Sequence, residues 1–119
     1  MKKIALLTLF TLIISGQAMA TSNKKNPGVV CIDNQLITQL EFGYITNIVA
    51  GPDNGSAVLV HFANGQSLPL NWYYNANDRQ GKAMIDALTL AFFSQRKVTV
   101  KDHFKNDCDQ FDHVILTSP

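Results

Sequence analysis

Charge is scarce in this chain. Asp, Glu, Lys and Arg make up 16% of it and nearly cancel, leaving a formal net charge of +1. That excludes the strongly basic surface that nucleic-acid binding needs and the polybasic stretch that draws a protein to anionic membrane. Beyond the N-terminus no apolar run is long enough to span a bilayer. Neither GxSxG nor HExxH occurs, so the familiar hydrolase and zinc-protease signatures are missing. No low-complexity tract or internal repeat is present. The chain has 119 residues, room for one domain with a modest core.

What is present begins with an address. Lys2 and Lys3 precede an apolar core from Ile4 to Ile14, broken only by Thr8 and Thr11. Ala18-Met19-Ala20 is a small-x-small cleavage site. Residues 1–20 therefore read as a signal peptide removed on export, to the periplasm or outside the cell. The rival, a retained membrane anchor, would need a longer apolar core. Removing the leader takes two lysines and tips the balance slightly acidic. Residues 21–28, Thr-Ser-Asn-Lys-Lys-Asn-Pro-Gly, read as a flexible arm. Residues 29–119 remain as a single domain.

Two cysteines lie in the exported part, Cys31 and Cys108. In an oxidising compartment a disulfide between them is the expectation, stapling the two ends of a small domain. Two free thiols are the alternative. A zinc site has little support, because neither cysteine has a CxxC partner.

The pass along the chain predicts five strands and one helix. Val29 to Ile32 is a short ordered piece that brings Cys31 to the body. Residues 36–50, with Ile37, Leu40, Phe42, Tyr44, Ile45, Ile48 and Val49, suit a first strand, and Gly43 marks a bulge or bend within it. Gly51 to Gly55 is a turn by chemistry. Ser56 to Ala63 alternates as a second strand, with Val58, Val60 and Phe62 on one face. Asn64-Gly65 signals a hairpin into a third strand, Gln66 to Trp72. Asn77 or Asp78 caps a helix, in which Met84, Ala87, Leu88, Ala91 and Phe92 share one face. Gln95-Arg96-Lys97 places positive charge at its C-terminal end. Lys97 to Lys101 and Val114 to Thr117 are the last strands, joined by an acidic, solvated loop from Asp102 to Asp112. The order β-β-β-α-β-β in a mostly β chain is that of a five-stranded OB-type barrel. The alternative is an open α+β sheet with one covering helix.

This exported, disulfide-linked chain resembles the B subunits of pentameric bacterial toxins of the cholera and heat-labile enterotoxin type. The resemblance runs from about Ala57 to Ser118. It rests on the strand Ala57-Val58-Leu59-Val60-His61-Phe62-Ala63 entering Asn64-Gly65, the helix Gly81 to Phe93, Lys97-Val98-Thr99-Val100, and the cysteine positions. It implies a homo-oligomeric ring, a pentamer, that binds cell-surface glycans and accompanies an enzymatic A chain. The family's tryptophan soon after the second cysteine is missing, since Asp109-Gln110-Phe111-Asp112 stands there. The acidic residue before the helix is replaced by Leu70-Asn71-Trp72. The family's sugar contacts therefore do not transfer residue by residue.

The segment between the third strand and the helix is the candidate binding site: Trp72, Tyr73, Tyr74, Asn75, Asn77 and Asp78. Three adjacent aromatics in extended backbone cannot all face one core. An exposed ring beside amides and carboxylates suits a sugar, which offers C–H faces and hydroxyls. The resemblance implies the same, because this connection contributes to the family's sugar site. The alternative is that Trp72 and Tyr74 pack under the helix while Asn77 or Asp78 only caps it.

Other features attract structural readings. His61 reads as a partly buried, hydrogen-bonded histidine rather than a catalytic base. Asp102, His103, Asp107, Asp109, Asp112 and His113 match no metal-ligand spacing. Outside the helix's main stripe, Ile85, Leu90 and Phe93 leave only a narrow polar face, which favours a second covering surface and an oligomer. The expectation is an exported module that works by binding, without catalysis, cofactor, metal, nucleic acid or membrane insertion. A monomeric envelope module that binds a protein partner is the alternative function.

Overall fold

The computed structural model describes residues 25–45 and 55–118. The expected leader 1–20, the start of the arm, the end of the expected first strand with Ile48 and Val49, and most of the 51–55 turn lie outside the described residues. Of the arm, Asn26 is tied to the body: its Nδ2 donates to the His103 carbonyl at 2.8 Å, and its Oδ1 accepts from Gly28 N–H at 2.9 Å.

Among the described residues the protein is mostly β with one helix. The elements are β1 (Val29–Gln35), β2 (Ile37–Gly43), β3 (Ala57–Phe62), β4 (Ser67–Pro69), α1 (Arg79–Ser94), β5 (Val98–Asp102) and β6 (His113–Leu116). They form two antiparallel three-stranded sheets, ordered β1-β5-β6 and β2-β3-β4.

Among the described residues six strands replace the expected five, and these strands do not close into one barrel. The extra strand arises because Val29 to Ile32 is no mere lead-in: β1 extends through Asp33-Asn34-Gln35 and pairs with β5. Polar side chains hide this strand from any apolar pattern. Asn34 sits at φ 53° with its N–H donating to Thr99 Oγ1 at 3.0 Å, within a stretch of shifted register. Leu36 separates β1 from β2, so the chain passes from one sheet to the other there. Gly43 ends β2 rather than bulging within it. The third strand of the expected set is also shorter. It ends at Pro69, which has no N–H to continue the ladder. Beyond it a single parallel bridge, Leu70 to Phe111, links the sheets. Asn71 N–H donates to Phe111 O at 2.8 Å and Phe111 N–H to Pro69 O at 3.0 Å.

The core lies between the sheets and under α1. Val58, Val60 and Phe62 supply one wall, Ile32, Val98 and Val100 another, and Leu88 and Ala91 the helix side. Each large apolar side chain buried here contributes about 1.5–3 kcal/mol. Met84 and Phe92 pack against the same cluster, so the helical spacing delivers its face as expected. Asp78 is the N-cap, and Gln95 ends the helix in the left-handed region at φ 59°. Arg96 and Lys97 lie beyond that cap, so the last turn itself carries no basic residue.

Cys31 and Cys108 are disulfide-bonded across a separation of 77 residues. In a chain-entropy account, closing such a loop stabilises the fold by roughly 4 kcal/mol. The bond pins the loop after β5 to β1.

Candidate functional site

Asn71 decides where the aromatic residues go. It is buried, and its Oδ1 accepts from Tyr73 N–H at 2.9 Å while its carbonyl accepts from Tyr74 N–H at 2.9 Å. This side-chain turn breaks the extended backbone just after the bridge to Phe111. Trp72 and Tyr73 are thrown outward, with exposures of 44% and 59%. Their rings stack on each other, centroids 4.2 Å apart and planes 21° apart. Tyr74 turns inward and packs on the core.

A third ring joins from a distant part of the chain. Phe104, 47% exposed, meets Tyr73 edge-on at 6.2 Å. The Lys105 ammonium lies 5.6 Å from the Phe104 ring centre. Phe104 was not among the expected site residues. Its one local signal is an aromatic residue set between His103 and Lys105 in a largely polar loop.

The loop that carries Phe104 is held by Asp102. The expectation of a wholly solvated loop fails at this residue, which is fully buried. One carboxylate oxygen accepts from Phe104 N–H at 2.9 Å; the other accepts from Asp107 and Cys108 N–H, each at 3.0 Å. Burial acts to raise this carboxyl's pKa. The N–H groups of Phe104, Cys108 and Asp107 outweigh it and hold the pKa below the ordinary value. Asp112 faces the same loop, accepting from His103 N–H at 3.1 Å and contacting its ring Nδ1 at 2.8 Å.

The polar candidates of the connecting segment go to other tasks. Asp78 caps α1: its Oδ1 accepts from Gly81 N–H at 2.5 Å, and its Oδ2 from Asn75 N–H at 2.8 Å. Asn75 Oδ1 accepts from Asn77 N–H at 2.8 Å. Asn77 lines a shallow hollow of about 260 Å³ with Phe42, Ala76 and Ile85. The structure therefore brings Trp72 and Tyr73 together with Phe104, buries Tyr74 in part, and uses Asn75 and Asp78 to start the helix.

An open polar cleft of about 910 Å³, also missed in the sequence, is lined by Asp33, Asn34, Arg96, Lys97 and Thr99 among others. No group of three or more His, Cys, Asp or Glu side chains among the described residues is placed to hold a metal ion. No helix among them is long and apolar enough to cross a membrane. Compared with known proteins, the chain matches no family model, no curated protein and no solved structure.

Proposed function

We propose that this chain is an exported glycan-binding module, and that the Trp72–Tyr73–Phe104 surface is its sugar platform. The observation that carries the reading is the stacked, solvent-facing Trp72–Tyr73 pair. Burying a Trp and a Tyr is favourable, so leaving both substantially exposed wastes apolar surface unless a ligand covers it. A flat aromatic face suits the C–H side of a pyranose, and the nearby Lys105 ammonium supplies a hydrogen-bond donor.

The two sheets are further proposed as halves of one OB-type barrel. Support comes from the near-continuity of β1 and β2 across Leu36, and from the Leu70–Phe111 bridge at the opposite seam. Assembly into a homo-oligomeric, toxin-B-like ring belongs to the same proposal. The exposed Leu90 and Phe93 on α1 support it. The accompanying enzymatic A chain rests on the sequence resemblance alone.

The test is binding of the native, oxidised protein to an immobilised glycan panel, with Trp72→Ala and Tyr73→Ala alongside. The expected result is binding that falls at least about fivefold in each variant, since stacked aromatic anchors contribute on the order of 1–3 kcal/mol. Binding that survives both substitutions overturns this site. No binding to any glycan by the native protein favours a protein-binding module instead.

A further inference from the structure

We infer that Ser67, His61 and Glu41 form a base-assisted nucleophile on the outer face of the β2-β3-β4 sheet, able to cleave small, accessible carboxylic esters. The sheet register puts them together. His61 on β3 is opposite Gln39 of β2 on one side and Ser67 of β4 on the other. Glu41 follows Gln39 by two residues and so shares its face. That face is opposite to the one on which Val58, Val60 and Phe62 are buried.

The contacts are short and directional. Ser67 Oγ lies 2.7 Å from His61 Nδ1, and Glu41 Oε2 lies 2.5 Å from His61 Nε2. The His61 and Glu41 side chains are 28% and 36% exposed, so solvent and a small substrate reach them. In the tautomer that carries its proton on Nε2, His61 donates to the Glu41 carboxylate. Nδ1 then offers its lone pair to the Ser67 hydroxyl. Nucleophile, base and a third group orienting the base are the three parts of hydroxyl activation. Here the ring is used in the reverse sense to the serine-protease arrangement, with Nδ1 toward serine.

The reaction balances without any added oxidant or metal. Ser67 Oγ attacks the ester carbonyl carbon while its proton passes to Nδ1. The C–O bond to the alcohol breaks, and the departing oxygen takes that proton. Water then attacks the acyl-serine, giving a proton to Nδ1, which returns it to Oγ as the carboxylic acid leaves. An open sheet surface offers little side-chain selectivity, so the substrate class is small esters with good leaving groups. Glu41 acts as a positioning residue. This inference is independent of the glycan platform, which involves other residues.

The experiment exposes the full, oxidised protein to a fluorophosphonate probe and to p-nitrophenyl acetate, with labelled serines located by peptide mass spectrometry. Ser67 is expected to label much faster than exposed Ser118, an internal reference that needs no variant. His61→Gln is expected to slow Ser67 labelling by about 100-fold or more, the usual scale of general-base assistance. Glu41→Gln is expected to slow it by about tenfold, with Glu41→Asp restoring part of the rate and thermal midpoints unchanged. Ser67→Ala should abolish ester turnover. Labelling of Ser67 no faster than Ser118, or unchanged in His61→Gln, overturns the proposal and leaves the trio as cross-strand hydrogen bonding alone.

Discussion

The Asp102 carboxylate sits fully buried at the end of β5 and accepts three backbone N–H groups from the loop that presents Phe104. Asp102→Asn replaces one acceptor oxygen with an amide that donates, so at least one buried N–H loses its partner. The expected cost is about 1–3 kcal/mol, read as a lower denaturation midpoint near neutral pH. The pH dependence has a definite sign. Folding holds this pKa below its ordinary value near 3.8, so the ionised form is favoured in the folded state. The associated stability is complete above about pH 5 and is lost as pH falls through the folded pKa. The gap between wild type and Asp102→Asn should therefore narrow below about pH 4; a gap constant with pH would count against a pKa held down by these N–H groups.

At the scale of elements, the start of α1 couples the aromatic turn to the helix. Asp78 binds Gly81 N–H on the helix side and Asn75 N–H on the loop side. A side chain at Gly81 would place its Cβ 2.2 Å from the Asn75 carbonyl oxygen, so the loop can fold onto the first turn only if that position is bare. Asp78→Ala is expected to cost about 1 kcal/mol, and Gly81→Ala more, because backbone must move to admit the methyl. Thermal midpoints of the two variants check this order, and the reverse order would contradict it.

The helix itself was legible because Met84, Leu88, Ala91 and Phe92 repeat at its own period. β3 was legible because Val58, Val60 and Phe62 alternate. The two cysteines, read against the expected export signal, were enough to expect the bond between them. β1 was not legible as a full strand, since Asp33-Asn34-Gln35 carries no apolar alternation. The Tyr73–Phe104 and Ser67–His61–Glu41 groupings were hidden for a different reason. Each depends on which strand or loop lies beside which, and no local pattern encodes that.

At the scale of the whole molecule, burial is unevenly distributed. Leu90 and Phe93 on the outer side of α1 are 62% and 78% exposed, although each would gain on the order of 1.5–3 kcal/mol from full burial. Leu116, at the end of β6, lines a shallow hollow with Leu90 and Ala91, so the apolar surface runs from the helix to that strand. Among the described residues β6 and β2 each stand at the edge of their sheet and pair on one side only. In the proposed ring a neighbouring copy would cover this apolar surface beside a half-paired edge strand, and two different edges would permit head-to-tail contacts that close. Light scattering behind a sizing column should therefore give a mass of several chains for the native protein. Leu90→Lys with Phe93→Lys should yield a folded monomer, since neither side chain contributes to the core and a lysine pair in a shared interface is costly to desolvate. Retained circular dichroism and thermal midpoint would separate lost assembly from lost fold. A native protein that runs as a monomer at all concentrations would sink the ring and leave this face to a protein partner.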